Sequence, residues 1–418
     1  MRKGNRMRVR MNILTWCVLL MSLQGYSQDT LLFHPMLIAA DDSVDVQKEF
    51  QFTAKSEVIF YGNGIGTRWL RDWARGGEIS PASNRKQLSN LSKRTSALGR
   101  WSTQLDIQAP IFADSLSNPY VDNRIGISVT QNEVFRGSFD PHIFQLLFLG
   151  NKGLEGQNMS GTDVEIESFQ YRSIGVNWNH ANYKNYSFWG VGLNWVESSQ
   201  YSRWSIPHYN ILFGQNMNDV QLDYVAKKET LVNGSKGVGL STHLEWENIK
   251  YPIHWYCSIK DLGFVKYNQL QMDRWKGDGL YPGFNTQTLQ NADSLANFLA
   301  PFAVHKQRIV ERWVALPTSF NASFEFLRRW RYSMVYYFGG QWGYQSLGKA
   351  WMLERNNQSW QFRLDALRSF QEQWGMRGSV HYINHNGWNI ALVGNNWLRT
   401  AVGDAPFFSG QIMLNMAF

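Results

Sequence analysis

Apolar and polar residues alternate along much of this chain, and the last twelve residues do so most clearly. Phe408, Gly410, Ile412, Leu414, Met416 and Phe418 form one set, and Phe407, Ser409, Gln411, Met413, Asn415 and Ala417 the other. The first set is almost wholly apolar and the second is mixed. Alternate side chains of a strand point to opposite faces, so such a segment suits lipid on one side and a wet lumen on the other. The same pattern returns in mid-chain. Ile174, Val176 and Trp178 alternate with Gly175, Asn177 and Asn179, and after a polar turn Trp189, Val191, Leu193 and Trp195 alternate with Phe188, Gly190, Gly192 and Asn194. Trp189 and Trp195 are about 20 Å apart along an extended strand. Aromatic residues at both ends of an aliphatic row read as the interfacial girdle of a membrane barrel.

Further strands are predicted over 46–62, 100–111, 123–135, 218–228, 236–247, 251–262, 318–327, 330–339, 358–367, 374–383 and 388–396. With the mid-chain hairpin and the terminal strand they make about fourteen, and an even number is expected of a bacterial single-chain barrel. Two long excursions, 62–99 and 266–314, separate groups of strands. The first carries Arg68, Arg71 and Arg75 with Trp69 and Trp73 at the spacing of a short amphipathic helix, and the second has a helical pattern over 286–302. Between 140 and 150 the alternation gives way to Ile143, Phe144, Leu146, Leu147 and Phe148, apolar almost all round, with Pro141 placed as an early helical residue and Gly150 as a stop. A helix of that kind must bury itself. Phe144, Leu147, Phe148 and Phe302 are therefore the expected lumen or plug contacts, and Phe418 the expected terminal assembly signal. Hydrocarbon offers backbone groups no partner, so the sheet must close on itself. The expected fold class is all-β: a closed antiparallel transmembrane β-barrel of about 14 strands with short helical inserts.

Composition sharpens this picture. Arg2, Lys3, Arg6, Arg8 and Arg10 precede an apolar run, Ile13 to Leu23, and Gly25-Tyr26-Ser27 offers small residues before Gln28. This predicts a cleaved signal peptide over 1–27, a barrel domain over 28–418 and an outer-membrane location. Leu31 to Ala40, broken by Pro35, suits a plug or a strand tucked into the barrel mouth. The leader holds five of the 41 basic residues and no acidic one, so against 33 acidic residues the remainder carries a net charge of +3. A balance that even argues against nucleic acid as a partner. Cys257 alone follows the leader, which leaves no intramolecular disulfide. The 19 Trp, 18 Tyr and 25 Phe occur without any apolar run of membrane-helix length.

Catalytic chemistry finds no foothold. His381 and His385 are four apart, but on strand and turn, where that interval builds no metal face. Gly62-Asn63-Gly64-Ile65-Gly66 and Gly234-Ser235-Lys236-Gly237 lack the spacing of a phosphate loop, and no serine stands in a G-x-S-x-G setting. No catalytic, cofactor or metal residue is predicted.

Phe148-Leu149-Gly150-Asn151-Lys152-Gly153-Leu154-Glu155-Gly156 resembles a block of an uncharacterised outer-membrane barrel family of the Bacteroidota. Gly237-Val238-Gly239 and Ser258-Ile259-Lys260-Asp261-Leu262-Gly263-Phe264-Val265 are similar to the glycine-rich strand and following hairpin of FadL-like and PorV-like barrels. The resemblance implies a lumenal plug and a channel for a small hydrophobic or amphipathic molecule, with helix 140–149 as the expected plug. The alternative is a structural or docking partner of secretion, gliding or surface machinery. Outer-membrane lipid, lipopolysaccharide and the barrel assembly machinery are the further partners expected.

Overall fold

The computed structural model describes residues 50–417 apart from stretches of connecting chain, of which 67–79, 282–303 and 397–406 are the longest. The leader, the 31–40 segment, the helices expected near 68–75 and over 286–302, Phe302 and Phe418 lie outside the described residues, as do the side chains of Leu147 and Phe148. In chain order the elements are β1 (Gln51–Gly62), α1 (Pro81–Asn90), β2 (Thr95–Pro110), β3 (Val121–Phe139), α2 (Pro141–Phe148), β4 (Asn158–Asn182), β5 (Ser187–Phe213), β6 (Val220–Leu231), β7 (Gly237–Lys250), β8 (Ile253–Tyr281), β9 (Val304–Ala315), β10 (Ser319–Phe326), β11 (Trp330–Tyr337), β12 (Trp342–Arg355), β13 (Gln358–Ser369), β14 (Trp374–Asn384), β15 (Trp388–Asn395) and β16 (Phe407–Ala417).

All neighbours are antiparallel, and the sheet closes where β1 meets β16 without a break in register from Gln51↔Ala417 to Tyr61↔Phe407. Sixteen strands make a ring of fourteen because two of its members are interrupted. β6 and β7 lie end to end along β5, and both pair with the 29-residue β8. β9 and β10 lie end to end along the other side of β8. The break between β9 and β10 is Leu316-Pro317-Thr318, where proline has no N–H to give the ladder. Facing it, β8 bulges at Asp261, a non-glycine residue with φ 55°. The amide of Leu316 still reaches the carbonyl of Gly263 at 3.0 Å, and the Thr318 hydroxyl donates to the carbonyl of Asp261 at 3.0 Å. Beside the bulge the β7 and β8 backbones nearly touch. A Cβ on Gly239 would stand 1.9 Å from the Phe264 carbonyl oxygen, and one on Gly263 would stand 2.1 Å from that of Leu240.

Burial is inverted relative to a soluble protein. In β13 every second residue is buried, and the buried set is Ser359, Gln361, Arg363, Asp365, Leu367 and Ser369, while Trp360, Phe362 and Leu364 face out. In β4 and β5 the outward residues are Ile174, Val176, Trp178, Leu193 and Trp195, and the inward ones include Ser173, Asn177, Asn179 and Asn194. Water would drive the opposite arrangement. An apolar outer band around a polar interior is the solution for a wall bathed in hydrocarbon.

Several expectations need correction. The segment Ser258–Val265 is no hairpin but the middle of β8, which runs on to Tyr281. The 266–314 excursion is accordingly shorter, since Lys266–Tyr281 and Val304–Val314 are strand. β12 went unpredicted, and β6 and β7 are one ring member, so the count of fourteen came from two errors that cancel. The 62–99 excursion holds α1, capped by Ser80, whose hydroxyl accepts from the Ser83 amide at 3.2 Å.

Candidate functional site in the barrel lumen

The interior is stacked in three layers along the barrel axis. The layer nearest the short turns and the paired strand ends Gln51 and Ala417 is a vestibule of about 150 Å³, lined by β1–β5, β7, β8 and β16. Its walls are polar because the inward positions of those strands are polar: Lys55 and Glu57 from β1, Arg100, Gln104 and Asp106 from β2, Asn177 from β4, Glu245 from β7, Lys260 and Asp261 from β8. These charges are paired. Arg100 donates through Nη2 to Asp261 at 2.5 Å and to Asn132 at 2.9 Å, and Lys260 meets Glu245 at 3.1 Å. The Asp106 carboxylate accepts from Gln104 at 2.7 Å and from Asn177 at 3.3 Å. The bulge at Asp261 gives β8 one residue more than its partner there, and this extra length aims both Lys260 and Asp261 into the lumen.

Above the vestibule the inward side chains turn aromatic and aliphatic. Ile59, Tyr61, Leu98, Phe169, Tyr171, Tyr201, Val265, Tyr267, Tyr337 and Tyr344 belong to one buried cluster drawn from most of the ring. Tyr201 and Tyr267 pack with ring centres 4.6 Å apart, and Tyr61 lies 5.6 Å from Tyr337. The Tyr267 hydroxyl donates to Ser198 at 2.7 Å. These residues form a collar, and water does not reach its centre, since Tyr171, Tyr267, Tyr337 and Tyr344 are all at most 1% exposed.

A third layer, at the loop end, is ionic. Arg203 grips Glu165 with two contacts of 2.8 Å, Arg312 holds Glu229 at 2.6 and 2.9 Å, and Arg136 pairs with Glu167, which also accepts from the Tyr201 hydroxyl at 2.9 Å. This layer belongs to the part of the sheet that rises past the lipid-facing band, for on β4 the outward position 172 is already an exposed arginine. Burial works against the charge on Glu165, yet the Arg203 hydrogen bonds and field prevail and hold its carboxyl below the usual range.

Of the residues expected at the plug, Phe144 is the one whose side chain is described. α2 forms where expected, with Asp140 accepting from the Ile143 amide at 3.0 Å and Pro141 in its first turn. Phe144 is fully buried, but against Phe60, Ala97 and Phe135. Phe60 lies between Ile59 and Tyr61 in an unbroken ladder, and both of those belong to the collar, so Phe144 packs on the opposite face of the wall. Trp195 is exposed on the outer face, and Trp189, half-buried, packs edge-on against Trp178 with centres 4.7 Å apart. The collar tyrosines and the vestibule charges escaped the sequence reading. Their signal is the face opposite each apolar row, as in Arg100, Ser102, Gln104 and Asp106 of β2. Among the described residues no three His, Cys, Asp or Glu side chains come together as metal ligands, and no helix is long and apolar enough to cross a membrane.

No family model and no curated protein matches the sequence. Among solved structures the chain is similar to a deletion mutant of the monoaromatic hydrocarbon channel TodX, at 10% identity over 94% of this chain and 95% of that one, with a TM-score of 0.43. It is also similar to the toluene transporter TbuX of Ralstonia pickettii (9% identity, 89% of each chain, TM-score 0.39) and to the translocator domain of the autotransporter NalP of Neisseria meningitidis (7% identity, 91% and 93%, TM-score 0.30). At such scores the likeness names no ligand. Nothing among these matches corresponds to the expected PorV-like or Bacteroidota family.

Proposed function

We propose that the chain is a channel-type barrel of a bacterial outer membrane that rests closed and admits a small hydrophobic or amphipathic molecule through its collar. The observation that carries this reading is the lumen itself, where an apolar, aromatic constriction lies between two polar layers inside a wall whose outer face is apolar. Hydrophobic constrictions exclude ions and water while offering an apolar solute favourable contact. In this reading the short turns face the periplasm and the loop end faces outward, as in barrels of this kind. Trp189 and Trp195 mark the two interfaces with lipid and lipopolysaccharide, and Phe418 ends the strand offered to the assembly machinery.

Uptake by whole cells tests the proposal. Cells displaying the chain are expected to take up a labelled hydrophobic solute faster than cells lacking it, and the purified barrel to be nearly silent in planar bilayers. Replacing Tyr171 and Tyr267 together with alanine is expected to open a steady ionic conductance. Wild-type protein that conducts freely, or cells with no gain in uptake, would overturn the reading.

A further inference from the structure

Beside the ionic layer, the lumen side of β6, β8 and β9 carries a row of bases that this layer does not neutralise. Lys227, Arg274 and Lys306 stand directly opposite one another in the two ladders, and Lys276 and Arg308 lie one inward position away from the row. Arg274, Lys276, Lys306 and Arg308 are exposed, and Lys227 is half-buried. All five face the lumen. Lys227 is two residues from Glu229 and Arg308 four from Arg312 in continuous strands, and that glutamate and that arginine form an ion pair inside the barrel. Like charges placed opposite each other in a sheet are destabilising, and the nearby carboxylates do not offset these. Glu165, Glu167 and Glu229 are engaged by Arg203, Arg136 and Arg312. None of the five bases forms an ion pair with a described residue. Asp223 and Asp278 oppose each other two inward positions beyond Lys227 and Arg274, where His208 lies 3.4 Å from Asp223. Five bases against these two acids leave three positive charges in surplus, and the balance stays positive even with Asp219 and Asp293 of the adjoining connecting chains counted.

We propose that this row binds a compact soluble anion carrying two or more phosphate groups, of the di- or triphosphate type. Adjacent strands are about 4.8 Å apart, so the three cations of the row fall within about 10 Å, a span that two or three linked phosphate groups can bridge. Arg274, at the centre, can give a phosphate two parallel N–H donors, and the lysines on either side add point charges. A long polyanion is disfavoured, because on the β5 side the row ends at Ser205 and then at Glu165. The anion comes from solution, since the row faces away from the lipid side of the wall. β9 pairs with β8 alone among the described strands, so no further strand flanks the Lys306 end of the row. The site is distinct from the vestibule, whose lining includes none of these residues, and does not depend on what passes the collar.

The test is calorimetric titration of the full chain, refolded in detergent, with inorganic triphosphate and with orthophosphate at constant ionic strength. Saturable binding of triphosphate is expected, with orthophosphate weaker by about tenfold or more because it meets fewer of the bases. Arg274→Gln together with Lys306→Gln should weaken triphosphate binding by about tenfold or more. Arg172→Gln, which removes an exposed base from the outer face of β4, should leave it unchanged. Asp278→Asn raises the surplus and should tighten binding several-fold. Micelles carrying a diphosphoryl lipid separate a headgroup from a free phosphate, and they should not compete with triphosphate. Absence of saturable binding, equal affinity for orthophosphate, full affinity in the double variant, an equal loss in Arg172→Gln or competition by the micellar lipid would each overturn the proposal. If the double variant does not fold, an Asp278→Asn protein with no tighter binding overturns it alone.

Discussion

Arg100 shows how much a single inward side chain of this wall carries. It comes from β2, reaches Asp261 on the far side of the lumen, and is itself almost fully buried. Removing one partner of such a pair leaves the other charge uncompensated, which typically costs about 3–5 kcal/mol. Arg100→Met is therefore expected to lose that much in denaturant unfolding, and Arg100→Met with Asp261→Asn to recover most of it. None of this could be read from the sequence. Arg100 and Asp261 are 161 positions apart, and only the ring and the β8 bulge bring them together. Gly239 and Gly263 were noticed as part of a motif. Their reason is the approach of two backbones that leaves no space for a Cβ.

At the scale of the strand, alternation was legible wherever lipid enforces it. β4, β5 and β16 were found because the outer face must be apolar and the inner face need not be. Where lipid is absent the rule relaxes, which is why the loop-end halves of β4 and β5 and nearly all of β9 passed unnoticed. β12 was missed for another reason. Its inward face is Ser346, Gly348 and Ala350 beyond two aromatics, and its outer face mixes Leu347 and Trp351 with Gln345 and Lys349, so neither face is uniform. Two expectations follow from the two environments. Leu193→Arg, on the lipid face at 63% exposure, should destabilise the barrel by about 2–4 kcal/mol if it lies near the midplane, whereas Thr130→Arg, facing the vestibule, should be tolerated better in the same unfolding assay. At the loop end, a carboxyl held below its usual range stabilises the fold above its unfolded pKa and loses that contribution as pH falls through the lower, folded value. Acidification should thus raise amide exchange around Glu165 and Arg203 before it affects β13, and Glu165→Gln should remove that difference.

For the whole molecule, closure joins the first described strand to the last. Such non-local pairing is slow to form. The decisive measurement is fractionation followed by gel mobility with and without boiling. The mature chain is expected in the outer membrane as a band whose mobility changes on heating. A soluble product would contradict the apolar outer band and remove the basis for every reading of the lumen. The sequence indicated the class of this architecture, but the collar depends on which inward residues share a height, and tilt and register decide that.

The two interrupted ring members also make the barrel divisible. β5, β7, β8 and β10 already pair with one another over Ser187–Ser198, Gly237–Lys250, Ile253–Tyr267 and Ser319–Glu325. Everything above that level, including β6 and β9, is therefore an appendage that can be trimmed by shortening hairpins in matched pairs, without opening an edge in the bilayer. A minimal version lacking the ionic tier would retain the vestibule and the collar as far as Tyr171 and Tyr267, and would lose Phe169 and Tyr201. It would also give an engineer a place to graft a different outer lobe onto the same wall.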